Sequence, residues 1–304
     1  MSPHRVPISL ALLAAGLVAT SCDWNPTGPP ASDLSLATNP GDFCQVNRFD
    51  AGNFSHPARV DNRFLPMVPG TQLILEGQAN RGAGERPHRV VFTVTDLTKR
   101  INGVRAVVIW DRDIDQGQLT ESELAFFAQD DGGNVWNVGE YPEEYEDGKF
   151  AGAPSTWIAG VARAKAGLHM RGHPGLDRPR YLQGSSPGID FLDCAKVVSR
   201  ELRICVPGKC YEHVLVTDEN SPLDPESGHQ RKFHAPGVGI IKVAAVGDPE
   251  AETLALVKIV RLNPRELEEV SERVLQLERR AYRISEVYRQ TQPVQRRNLA
   301  LQAP

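Results

Sequence analysis

Apolar and polar positions change rhythm along this chain, and each change marks an element. Residues 6–19 form an almost continuous apolar run, broken only by Pro7, Ser9 and Gly16. Residues 23–42 are rich in Pro, Gly, Ser, Thr and Asn and hold little that folding could bury, which predicts a flexible tether. Residues 43–64 carry scattered aromatics without a period and predict an irregular lead-in packed on the domain that follows. From Gly70 the pattern is that of strands. Residues 71–76, 88–95, 104–111 and 119–128 are β-rich runs, with turn signals at Asn80-Arg81-Gly82, Asn102-Gly103 and Asp115-Gln116-Gly117. Asn102-Gly103 has the composition of a two-residue hairpin turn. Further runs fall at 134–138, 195–206, 211–217, 238–245 and 253–260, while 140–156, 171–189 and 218–229 read as loops or rims. Closely spaced strands joined by turns predict a mainly β fold over residues 43–262: an antiparallel barrel, half-barrel or sandwich.

The period then becomes helical. Asn263 reads as a helix cap, Pro264 as the first helical residue and Glu266 as the return arm of a capping box. Leu267, Val270, Val274, Leu277, Ala281, Ile284 and Tyr288 recur in alternating steps of three and four, a heptad seam. Acidic residues early and arginines late suit the helix dipole. A long C-terminal α-helix over 263–292 is predicted, stopped by Pro293, with 293–304 as a tail. Such a seam packs on its own domain or offers a contact to a partner protein or a second copy of the chain.

The first apolar run is too short for the roughly 20 residues that span a bilayer. With Arg5 before it, it reads as a signal peptide over 1–21. Ala19-Thr20-Ser21-Cys22 then resembles the lipobox of bacterial lipoproteins. That resemblance implies cleavage before Cys22, a lipid on its sulfur, a tether over 22–42, and a membrane-anchored domain facing the periplasm or the cell exterior. The family's commonest residue three before the Cys is Leu, where this chain has Ala19.

Composition narrows the partners. A formal net charge of −4 over 304 residues argues against binding to nucleic-acid phosphates. With Cys22 set aside, Cys44, Cys194, Cys205 and Cys210 remain, an even number that in an oxidising compartment predicts two disulfides with three pairings open. Cys205-Val-Pro-Gly-Lys-Cys210 reads as a hairpin that sets its two thiols across from each other, which would leave Cys44 to Cys194. The spacing lacks the short Cys-x-x-Cys steps of zinc ribbons.

Other segments resemble a family of secreted bacterial proteins without an assigned activity. They are the run from Phe64-Leu65-Pro66-Met67 to Glu76-Gly77, then Ala128-Gln129-Asp130 with Gly133-Asn134-Val135-Trp136 and Gly139-Glu140, then Thr217-Asp218-Glu219 and His234-Ala235-Pro236-Gly237-Val238-Gly239. The resemblance implies an exported β domain. Asn137-Val138 stands where the family has an aromatic pair.

Chemistry-bearing residues are sparse. Asp111, Asp113 and Asp115 before Gly117 have the spacing of a calcium loop, but Gln116 and Ser122 occupy the positions where an EF-hand needs Gly and Glu, so a solvated turn is the expectation. Glu140, Glu143, Glu144, Glu146 and Asp147 surround Tyr141 and Tyr145, a composition shared by glycan grooves and by any exposed acidic loop. His169 and His173 have helical ligand spacing, but Gly172 and Pro174 argue against a helix there. Gly184-Ser185-Ser186-Pro187-Gly188 lacks the pattern of a nucleophile elbow. No cofactor or metal is expected. The leading expectation is a membrane-anchored binding or interaction module for a partner protein or a small ligand, such as an accessory subunit of a membrane-associated assembly, with an extracytoplasmic hydrolase or glycan-active enzyme using Glu140, Glu144 or His173 at the domain's rim as the alternative.

Overall fold

Strand pairing in the computed structural model, which describes residues 39–82 and 84–297, closes on itself. The strands are β1 (Thr71–Asn80), β2 (Glu85–Ile101), β3 (Val104–Asp115), β4 (Gln118–Gln129), β5 (Val135–Glu146), β6 (Lys149–Gly152) and β7 (Trp157–Ile158). They continue with β8 (Lys165–Met170), β9 (Tyr181–Ser186), β10 (Phe191–Val206), β11 (Lys209–Asn220), β12 (His229–Ala235), β13 (Gly239–Val246) and β14 (Thr253–Arg261). Apart from the excursion through β6 and β7, each strand pairs antiparallel with its neighbours in sequence, and β14 returns to β1. The result is a closed 12-strand antiparallel barrel, the first of the three expected architectures. Closure leaves no long unpaired edge.

Local chemistry explains the joints. Asn102 and Gly103 both take positive φ, as a two-residue hairpin turn requires. At the closing seam β14 passes so close to Gly77 that a Cβ there would lie 1.8 Å from the Thr253 carbonyl oxygen. Of the twelve barrel strands, β8, β9 and β12 stand where the sequence offered none or a loop, as do the short β6 and β7. Residues 140–146, expected as an acidic loop, are most of β5.

The barrel has an apolar plug at one end. Ala58, Val60, Phe64, Leu65 and Met67 of the lead-in pack against Val94, Ile109, Phe127 and Met170 from the inner wall. Segments that resemble the secreted family hold this plug. Gln129 Oε1 accepts from the amides of Asp61 and Asn62, and Asn62 Nδ2 donates to the carbonyls of Gly133 and Arg171. Asp130 receives Asn134 and the Trp136 indole, while the Gly237 amide donates to the Arg63 carbonyl.

Helix α1 spans Pro264–Ile284 and begins with the expected capping box on Asn263 and Glu266. It ends short of the expected residue 292: Ser285 turns to extended backbone, and a short 3-10 turn swings Tyr288 into the core against Tyr141, Tyr282 and Phe126. The chain then adds β15 (Gln295–Arg296) to β2, so the start of the expected tail belongs to the sheet.

Candidate functional site

Two regions gather polar side chains around space: a cleft outside the barrel, and its lumen. The cleft follows from how the heptad seam is used. Val274, Leu277, Ala281 and Tyr288 are buried in the cluster that contains Leu97, Val108 and Phe126, so this half of the seam packs on its own barrel. Lys99 and Arg280 reinforce it through ion pairs to Glu278 and Glu143. Leu267 and Val270 are only half-buried, and Ile284 is exposed. Around Val270 the helix stands off the wall, leaving an open cleft of about 620 Å³. Its floor is Gln72, Trp110, Val260 and Leu262, and its helical side includes Glu266, Glu269, Val270, Glu272 and Arg273. The Trp110 indole is fixed by its bond to Ser122 Oγ and by the Arg112 guanidinium 4.2 Å from its ring.

The lumen is lined by the alternate residues of each strand. On β3 and β4 the inner positions run from Val107, Ile109, Ala125 and Phe127 under the plug to Asp111, Asp113, Glu121 and Glu123 beyond it. A barrel this wide exceeds what ordinary apolar side chains fill; long polar ones meet in its middle. Lys232 Nζ lies 2.7 Å from Glu219 Oε2, and Thr217 donates to the same carboxyl group. His88 sits between Asp115 (2.6 Å) and Glu252 (2.9 Å). Glu140 accepts from Asn137 and from the Trp157 indole.

Charge states diverge accordingly. Burial disfavours a charge on His88, but its bonds to Asp115 and Glu252 outweigh this and lift its pKa to about 10. Burial alone would raise Glu219; Lys232 instead holds it at about 2. Burial raises Asp111 to about 7 and Glu140 to about 8, and lowers His169 to about 4 and His234 to about 3.

These positions correct several expectations. Asp111 and Asp113 are not a solvated turn but face the lumen, because β3 continues to Asp115. The acids of β5 divide by alternation: Glu140 is buried in the lumen, and Glu143 points outward to Arg280. His169 is buried beside Phe127, whereas His173 is exposed in the following loop. Of the three residues named for an enzyme, Glu140 is buried inside the barrel, Glu144 is half-buried further along the same strand and His173 is exposed in a loop. Among the described residues, no group of three or more His, Cys, Asp or Glu is arranged to hold a metal ion. Disulfides join Cys44 to Cys194 and Cys205 to Cys210. Cys22 and its leader lie outside the described residues. The lumen network escaped sequence reasoning; its one local signal was the alternation of Asp111, Asp113 and Asp115 through a β-rich run.

No family model and no curated protein matches this chain. Among solved structures, a Bacteroides fragilis protein provisionally described as exported, with a YmcC-like fold, is similar at 14% identity. The match covers 66% of this chain and 99% of that one, with a TM-score of 0.37. A Parabacteroides distasonis protein provisionally described as a lipoprotein is similar at 12% identity over the same shares, with a TM-score of 0.30. At those scores the likeness says nothing of activity.

Proposed function

We propose that this chain is an extracytoplasmic lipoprotein, tethered through Cys22, whose barrel acts as a binding module for an extended segment of a partner protein. The cleft between α1 and the barrel wall carries the reading. Its volume is that of a ligand site, yet it is open and its mostly apolar floor faces a charged helical side, which suits a peptide better than an enclosed small molecule. Trp110 supplies the rigid aromatic anchor that such contacts favour. Glu266, Glu269 and Glu272 outnumber Arg273 along the helical side, so the matching segment combines aliphatic and basic residues. Export is supported by the leader-like run, by Ala19-Thr20-Ser21-Cys22 and by the two disulfides, which persist in oxidising compartments.

The test is a photo-crosslinking residue at Val270 of the full chain, made in its own cells. A discrete adduct that is absent with the probe at exposed Arg283, and lost on Trp110→Ala, supports the cleft as the docking site. Adducts no different from those at Arg283 reject it. Anchoring is read separately: Cys22→Ala should release the protein from the membrane fraction, and retention there would rule out the lipid tether.

A further inference from the structure

Acidic side chains face one another across β3 and β4 inside the barrel. Strand register sets Glu123 directly opposite Asp111, and Glu121 directly opposite Asp113. All four are at most 4% exposed. Directly opposed residues on paired strands stand with Cβ atoms about 5 Å apart, a spacing at which like charges repel. Glu144 of β5 continues the row beyond Glu121.

The other charged groups around this wall come from each strand that faces it. His88 reaches in from β2, Lys232 from β12, Glu252 from the loop just before β14 and Arg81 from the turn after β1, while Arg112 lies beside Asp111 on β3 itself. Lys232 meets Glu219, His88 meets Asp115 and Glu252, and Arg81 meets Asp115 and Glu250. Asp113 is the most isolated member of the wall. It is 1% exposed, and neither of its carboxyl oxygens has a hydrogen-bond partner among the described residues.

We propose that this acidic wall is a proton-binding site centred on Asp113, with the proton shared between its carboxyl group and that of Glu121 facing it. A carboxylate without donors in a protein interior takes up a proton rather than keep its charge, and two facing carboxyls share one readily. Burial accordingly lifts Asp113 well above the usual carboxylate range. A metal ion would need a cage, and the described residues offer none.

The folded barrel thus binds a proton that the unfolded chain releases once pH passes the ordinary carboxylate value. The stabilisation is complete below that value and is lost as pH rises through the folded one. Between pH 6.5 and 8 the loss is read apart from His169 and His234, whose ordinary value lies at or below this range, and from Lys99, whose folded value lies at its upper end. His88, Glu140 and Asp111 lose stability in the same direction there, so the comparison must be between variants.

The experiment uses the purified full chain. Asp113→Asn keeps the shape of the protonated side chain without its proton. Wild-type melting temperature should fall from pH 6.5 to 8, and fall less, by up to about a third, in Asp113→Asn. The infrared stretch of a protonated carboxyl should be present in the wild type and weakened in the variant. An unchanged fall together with an unchanged infrared band overturns the proposal. So does a comparable shift of wild-type melting when EDTA is added or sodium is replaced by choline, since the site would then hold a metal ion. If Asp113→Asn does not fold, Glu121→Gln takes its place in both measurements, where a reduced fall and a weakened band support the shared proton and unchanged ones overturn it.

Discussion

Lys99 of β2 places its ammonium 2.9 Å from Glu278 Oε1 of α1, with both side chains withdrawn from solvent. The same ammonium donates to the Gln292 carbonyl and lies 4.2 Å from the Tyr288 ring centre, so one buried cation joins the barrel, the helix and the returning chain. Burial lowers the Lys99 pKa to about 8 despite Glu278. Glu278→Ala leaves that charge unpaired and should cost about 3–5 kcal/mol. The double replacement Lys99→Met with Glu278→Leu should cost less than Glu278→Ala alone. Urea unfolding of all three proteins checks this.

The heptad seam is used unevenly, and single truncations should show it. Leu277→Ala removes a buried contact between helix and barrel and should cost about 2–5 kcal/mol. Ile284→Ala, at an exposed position, should stay within about 0.5 kcal/mol of the parent. Equal losses in thermal melts would show that the seam does not divide in this way.

Asn62 holds the plug with both ends of its amide: Oδ1 accepts from Phe64 and Leu65, and Nδ2 donates to two carbonyls. Asn62→Ala should cost about 2–4 kcal/mol, given roughly 1 kcal/mol for each bond lost. Amide hydrogen exchange at Phe64 and Leu65 should quicken more than exchange in β3.

His234 is buried and neutral, its folded pKa lowered to about 3 by burial and below its ordinary 6.5. The unfolded chain takes up this proton first, so stability from the neutral ring is complete above pH 6.5 and is lost as pH falls toward the folded value. His234→Gln should flatten the acid side of the melting-temperature profile between about pH 6 and 4 relative to the parent, as differential scanning calorimetry would show.

The sequence announced elements wherever one face is apolar and the other polar. The strand runs from Thr71 to Asp111, the Asn102-Gly103 turn and the capping box of α1 were all legible for that reason. What it hid follows from the lumen. His169 of β8, Ser185 of β9 and Lys232 of β12 are buried polar residues, so their strands are polar on a face that ordinarily signals a core by being apolar. Asp111 and Asp113 looked like a solvated turn on the same account. The cleft was hidden differently: seven seam positions look alike in sequence, and only the standoff of α1 from the barrel separates Val270 from Leu277.

The Cys44–Cys194 disulfide also decides where mechanical load enters the barrel. A pull arriving along the chain from its N-terminal side passes at Cys44 directly into β10 and bypasses the lead-in that follows. The plug residues are shielded from tension as long as that bond is closed. Reduce it, and the same pull acts first on the bridge from Gln45 to Tyr181 of β9, and once that gives way on Phe64, Leu65 and Met67.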